Sequence, residues 1–318
     1  MSYLLTTGIL QQAANPAVTL LLDDAAFSSH QIVLSVRRLK TAYTGNCMEV
    51  RRSSDNATQN IGFINNYLDT VSLLSFVGSG SGFVKTWYDQ SGNGRDYIQN
   101  TNANQPRIVN AGSLETQNGK AAVRFDGSTS RLASAADYTL NMDQSIYLVN
   151  APTNNITAAT SFQCLIDGGP LTSGSENNTV ISYGSVTGNL TNERLSYLLA
   201  AQRISAPAGV QIYGYGQTSA DITAGNYLHN FSSRDNIGAV QVNVSQNGTG
   251  QSLSTSSYSG FIISNPKRWP TIFRGLGYRS VNNSGHFNGK IQEYILFNSY
   301  INNNSTINTS VNGFYSIW

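Results

Sequence analysis

The sequence predicts a mainly β protein, a jelly-roll sandwich with a few short helices, and three observations carry that prediction. Only 11% of the 318 residues are charged, against about 25% in average globular proteins. Polarity comes instead from Asn, Ser, Thr and Gly, which favour turns and make poor helices. Aromatic residues are plentiful, with 17 Tyr and 12 Phe, and short apolar runs are separated by Gly, Asn and Ser clusters at the spacing expected of a sandwich. The chain is long for one domain, but β-sandwiches run past about 250 residues as single units. That length supports a large core without help from a disulfide or a metal.

In chain order, residues 1–22 read as an arm, because Gln11, Gln12, Asn15 and Pro16 interrupt any periodicity before Leu20-Leu21-Leu22. A helix capped by Ser28 or Ser29 is expected next. Ile32, Val36, Leu39 and Tyr43 form its apolar stripe, with Arg37, Arg38 and Lys40 outside it. Cys47–Arg52 reads as a strand with Met48 and Val50 on one face. A second helix spans Asp69 to Val77, with Asp69 as N-cap, Leu73, Leu74 and Val77 as its apolar face and Gly78 as its stop. Strands follow at 83–88, 121–125, 144–149, 195–199, 210–215, 239–244 and 290–297. Asn304 caps a closing helix with Ile307, Val311, Phe314 and Tyr315 on one side. No repeat or linker divides the remainder, so the expected organisation is the arm at 1–22 and one domain at 23–318.

Several function classes receive no support. The formal charge of +2 offers no basic stripe for nucleic acid. No apolar run reaches the roughly 18 residues that span a bilayer, and Met1–Gly8 lacks the basic start of a signal peptide. Cys47 and Cys164 read as buried small hydrophobes, and His30, His229 and His286 as scattered surface or helix-end residues. Gly78-Ser79-Gly80-Ser81-Gly82 lacks the Lys-Ser/Thr of a phosphate loop. Arg268-Trp269-Pro270 and Tyr213, Tyr215, Tyr227, Tyr258 and Tyr278 either form an aromatic surface or pack inside.

Four stretches are more specific than composition. They are Val50-Arg51-Arg52-Ser53-Ser54-Asp55-Asn56 with Ile61-Gly62-Phe63, Trp87-Tyr88-Asp89-Gln90-Ser91-Gly92-Asn93-Gly94-Arg95-Asp96, Asn104-Gln105-Pro106-Arg107-Ile108-Val109, and Val123-Arg124-Phe125-Asp126-Gly127. In that order they resemble the catalytic domain of α-L-arabinofuranosidase B, which implies a concanavalin-A-like sandwich. They also resemble bacteriophage and environmental proteins described as tail, fibre or hypothetical proteins. The resemblance is strongest over about 20–130. It weakens over 270–318, where Leu276-Gly277-Tyr278-Arg279 and Asn288-Gly289-Lys290-Ile291-Gln292-Glu293 are similar to the closing strands of laminin-G-like sandwiches.

The Asp89–Asp96 motif has two open readings. Gly92 and Gly94 permit positive φ, leaving Asp89, Ser91 and Asn93 to bond turn amides. In one reading Arg51, Arg52, Asp55, Arg124 and Asp126 form a polar network that locks the loops at one sandwich end. In the other, Trp87, Tyr88, Asp89, Asn93 and Arg95 present a carbohydrate-binding surface with Trp87 and Tyr88 as stacking platforms. Asp89, Ser91 and Asn93 also match the start of a calcium loop, but position 12 is Asn100 rather than a bidentate Glu. A hydrogen-bonded turn is the default there, and no cofactor is expected.

Glycosidases need two carboxylates flanking the scissile bond. The resemblance implies a Glu nucleophile in a Met-Glu-Ala-like strand, and no such motif stands between 160 and 200, where Asp167 and Glu176 are the nearest acids. It implies an acid/base Asp after a Leu-Gly-Ile-Gly-Gly-like strand, where this chain reads Leu276-Gly277-Tyr278-Arg279-Ser280-Val281-Asn282-Asn283. The family's adjacent-cysteine disulfide is missing, and Glu293 matches a structural Glu. The main functional expectation is therefore a bacteriophage virion appendage: a fibre, tail or head-decoration subunit, assembled in the host cytoplasm. It would form a homotrimer, contact other virion proteins and bind host-surface glycan. The alternative is a glycoside hydrolase of arabinofuranosidase type, with Asp167, Glu176 or Glu193 supplying carboxylates.

Overall fold

The computed structural model describes residues 19–135, 143–157, 162–168, 178–184, 195–202, 211–218, 221–236, 239–251, 274–280 and 283–318. It is mainly β, as predicted, and two antiparallel layers can be traced through its ladders. The hub of the first is the strand Asn288–Phe297. One edge pairs with Val123–Asp126 near its start and with His30–Ser35 near its end. The other edge pairs with Gln144–Pro152 from Ser145 opposite Phe297 to Pro152 opposite Gly289. Tyr227–Asn236 and Ala239–Gln246 extend the layer. The second layer runs through Thr58–Ile61, Met48–Arg52, Gly82–Trp87, Tyr97–Ile98, Leu132–Ser134, Gly275–Leu276 and Gln163–Gly168. It ends on Asn178–Tyr183, Leu195–Gln202 and Gln211–Thr218.

Side chains between the layers make the core. Tyr97 of the second layer meets Tyr294 of the first edge-on, with ring centroids 6.1 Å apart. Tyr183 likewise meets His229 at 6.0 Å, and Asn150 Nδ2 donates to the Tyr183 hydroxyl at 2.7 Å. Every residue of Gln144–Pro152 is buried, because its second face lies under further structure rather than water.

The first expected helix is corrected. Residues 30–35 form a strand, preceded by 3₁₀ turns at Leu21–Asp23 and Ala25–Phe27. Ile32, Val33 and Leu34 are all fully buried, and a strand covered on both faces lacks the alternation that separates it from a buried helix. Arg37, expected outside the apolar stripe, is 8% exposed. Leu22, assigned to the arm, already packs in the core; the expectation for 1–18 lies outside the described residues.

The other two helices stand where the capping chemistry puts them. Asp69 accepts from Ser72 N at the start of α1 (Thr70–Val77), and Gly78 ends it at φ 64°. Asn304 accepts from Thr306 N and Ile307 N at the start of α2 (Ser305–Tyr315). Its face Ile307, Val311 and Tyr315 is buried, and the Tyr315 hydroxyl reaches Glu293 Oε2 at 3.1 Å. Cys47 and Cys164 are buried free thiols.

Burial pushes His229 down to about 4, while an unfolded histidine titrates near 6.5. Its ring bonds through Nδ1 to Asn150 Oδ1 at 2.9 Å and is neutral in the fold. Between pH 6.5 and 4 the unfolded chain therefore takes up a proton that the native chain refuses. The stabilisation present above pH 6.5 falls by about 3 kcal/mol across that window. Denaturant unfolding of the wild type and of His229→Gln at several pH values checks this. The variant should lose stability less steeply on acidification, and parallel curves would contradict the assignment.

Candidate functional site

The Asp89–Asp96 turn is closed on itself. Asp89 Oδ1 accepts from Val33 N at 2.8 Å and Ser91 N at 2.9 Å, and Oδ2 from Ser91 Oγ at 2.5 Å and Arg95 N at 3.1 Å. Ser91 Oγ also accepts from Asn93 N at 3.1 Å. Four donors occupy the carboxylate that a calcium ion would need. Arg95 Nη1 donates to Gln31 Oε1 at 2.7 Å, joining the turn to the first strand. Trp87 is fully buried in the core, so its ring offers no platform to a sugar. Tyr88 is half-buried and donates to Asn60 Oδ1 at 2.8 Å.

The five charged residues of the expected network are dispersed. Arg52 pairs with Asp55 at 2.7 Å, whereas Arg51 bonds Gln105 Oε1 and Asn56 Oδ1 at 2.7 and 2.8 Å. Arg124 reaches Asn288 Oδ1 at 2.8 Å. Asp126 accepts from the amides of Ser128, Thr129 and Ser130 at 2.8–3.0 Å. Burial opposes its charge, but those amides and the Ser130 hydroxyl outweigh burial and hold its carboxyl well below the usual range.

A polar cleft of about 350 Å³ opens between Leu22, Asp23, Asp24, Lys40, Ser91 and Asn93. Its acids serve the local fold. Asp23 accepts from Leu20 N, Thr41 N and Thr41 Oγ1 at 2.6–2.9 Å, and Asp24 Oδ1 accepts from Ala26 N at 2.9 Å.

A second cluster forms where the strand Gln163–Gly168 meets the closing turn. Asp167 lies opposite Gly275 in the ladder and is fully buried. Its Oδ2 accepts from Ser280 N at 2.6 Å and from the Ser280 hydroxyl, and Arg274 N donates to its carbonyl at 2.9 Å. Asp167 thereby holds the turn that contains Tyr278 and Arg279. Gly277, at φ 80°, passes so close to Phe125 that a Cβ would collide with the ring. Tyr278 stacks on His286 with centroids 6.3 Å apart and planes 9° apart, and the Arg131 guanidinium lies 5.5 Å from the Tyr278 ring. Arg279 lies 6.0 Å from the Phe162 ring. Burial lowers His286, and Arg131 lowers it further.

Elimination narrows the search for catalytic carboxylates. Of the five glutamates, Glu49 is paired with Lys85 at 3.0 Å and Glu115 with Arg107 at 2.6 Å. Glu293 is paired with Arg37 at 2.8 Å. Glu176 and Glu193 lie outside the described residues, as do Arg268-Trp269-Pro270 and Tyr258. The ladder between Gln163–Gly168 and Asn178–Tyr183 sets Gly168 opposite Thr179, so Asp167 and the start of the next strand share one sheet end. The sequence pattern singled out Asp167, Tyr278 and His286 separately, with His286 taken as a scattered surface or helix-end residue, and gave no signal for Arg131 or Phe162. Only strand pairing brings these distant positions together.

A mainly β sandwich with polar clusters on its surface defines a class that hosts glycan-binding and glycan-cleaving proteins alike, and fold alone does not choose between them. Residues 25–163 match the family model described as "Alpha-L-arabinofuranosidase B, catalytic". No curated protein matches the chain. Among solved structures, a mutant GH54 α-L-arabinofuranosidase soaked with 4-nitrophenyl α-L-arabinofuranoside superposes with a TM-score of 0.62 at 18% identity. That match covers 94% of this chain and 65% of the other. An arabinofuranosidase complexed with arabinofuranosyl-α-1,2-xylobiose superposes with a TM-score of 0.61 at 18% identity, covering 90% of this chain and 62% of the other. The chain thus spans less than two thirds of the length of either structure, and at this identity the shared property is the fold. These matches correct the main functional expectation. They point to the arabinofuranosidase catalytic domain, and none of them is a phage tail, fibre or head-decoration protein.

Proposed function

We propose that the chain is a glycoside hydrolase of arabinofuranosidase type, acting on arabinofuranosyl-bearing glycans. The observation that carries this reading is the family match over 25–163, reinforced by superposition on arabinofuranosidases over most of the chain. Hydrolysis needs one carboxyl group to protonate the leaving oxygen and a second to act as nucleophile or to activate water. Glu49, Glu115 and Glu293 are held by bases, and the candidates proposed for the two groups are Asp167, Glu176 and Glu193, from the part of the chain beyond the motifs that carry the resemblance. Asp167 is sealed against Ser280 and acts as a positioning residue, fixing the turn beside which substrate would lie. Glu176 and Glu193 are the acids assigned to the chemistry.

Incubating the purified chain with branched arabinan and measuring free arabinose by chromatography tests the proposal. Arabinose accumulating linearly with enzyme concentration is the expected result. An unchanged polymer, with the protein shown to be folded, would remove the hydrolase reading.

A further inference from the structure

Two arginines at this end of the sandwich, Arg279 and Arg131, make no ion pair among the described residues, and the neutral ring of His286 stands near them. Arg279 Nε is buried with no hydrogen-bond partner, and among the described residues the guanidinium makes no ion pair; the Phe162 ring lies 6.0 Å from its centre. His286 Nδ1 is also buried and unbonded. Arg131, whose guanidinium lies 5.5 Å from the Tyr278 ring, donates to Thr129 O at 3.0 Å and to the Asn104 side-chain oxygen at 2.8 Å, and has no ion-pair partner among the described residues. Of the nearby acids, Asp126 is bonded by three amides, and Asp167 is held through Oδ2 by Ser280. A buried guanidinium N–H without an acceptor costs free energy that a bound ligand would recover. Arg279, Tyr278 and His286 are each only partly buried, so part of each side chain faces solvent. A guanidinium fork suits oxyanions, whether carboxylate or phosphate.

We propose that this end of the sandwich binds an anionic group carried on the glycan, a carboxylate or a phosphate, with Arg279 as its principal contact and Arg131 and His286 beside it. The proposal deepens the hydrolase reading by assigning an acidic substrate class to the same end of the sheet. It rests on that reading for its biological sense, but its test does not depend on turnover.

Titration calorimetry of the intact chain with glucuronate, glucose 6-phosphate and glucose provides that test. Saturable binding of at least one of the two acidic sugars and none of glucose is expected, and the stronger of the two identifies the anion. Arg279→Gln should weaken that binding by about tenfold or more, with an unchanged thermal midpoint showing that the fold survives. Arg279→Lys should recover only part of the affinity, because it keeps the charge and loses the fork. Failure of both acids to bind, or equal affinity in wild type and Arg279→Gln, overturns the inference. Arabinose release from arabinan alongside failed titrations would remove this inference alone. Binding without any release would leave it standing and remove the hydrolase reading.

Discussion

Replacing Glu293 with Ala is expected to lower the free energy of unfolding by about 3–5 kcal/mol, the cost of leaving a buried charge without its partner. Glu293 sits in the hub strand, 1% exposed, and Arg37 grips it through two bonds, Nε to Oε2 at 2.8 Å and Nη2 to Oε1 at 2.9 Å. Ser35 Oγ and the Tyr315 hydroxyl donate to the same carboxylate at 2.7 and 3.1 Å. The pair therefore ties the first strand, the hub strand and α2 together. Coulombic attraction to Glu293 raises Arg37 despite the opposing effect of burial. A double-mutant cycle with Arg37→Met separates the pair's coupling from the cost of an orphaned charge. The double variant should be more stable than the Glu293→Ala single variant. Additive losses would show that the two side chains act independently.

The second large effect is catalytic. Glu176→Gln or Glu193→Gln should reduce hydrolysis of 4-nitrophenyl α-L-arabinofuranoside by about 10²–10⁴-fold, the usual contribution of a positioned acid or base. Stability should barely change. Glu115→Gln serves as the control, because that carboxylate is held by Arg107 and lies 3.6 Å from Lys290. It should leave turnover close to wild type. Full activity in both the Glu176 and Glu193 variants would mean that the elimination chose the wrong acids.

Much of the fold was legible because its signals are local. The Asp69 and Asn304 caps, the stop at Gly78 and the alternating or continuous apolar runs each sit within a few residues of the element they define. The first strand was misread because Ile32, Val33 and Leu34 are buried on both sides. Its neighbours, Glu293–Phe297 on the hub strand, are more than 250 residues away. The site was less legible for the same reason. The Asp89 turn could be anticipated from its glycines and oxygens, but whether Trp87 faces water or core depends on the opposite layer. The Arg131, Tyr278, His286 and Arg279 cluster is assembled by pairing of Leu132–Ser134, Gln163–Gly168 and Gly275–Leu276, which no local pattern announces.

The central claim is that this sandwich cleaves arabinofuranosides, and the most direct measurement is wild-type turnover of 4-nitrophenyl α-L-arabinofuranoside, with the matching arabinopyranoside as control. The account predicts 4-nitrophenol release from the furanoside that saturates with substrate and is lost on heat denaturation. Release no faster than from the heat-denatured protein, in a sample with a cooperative unfolding transition, would contradict it.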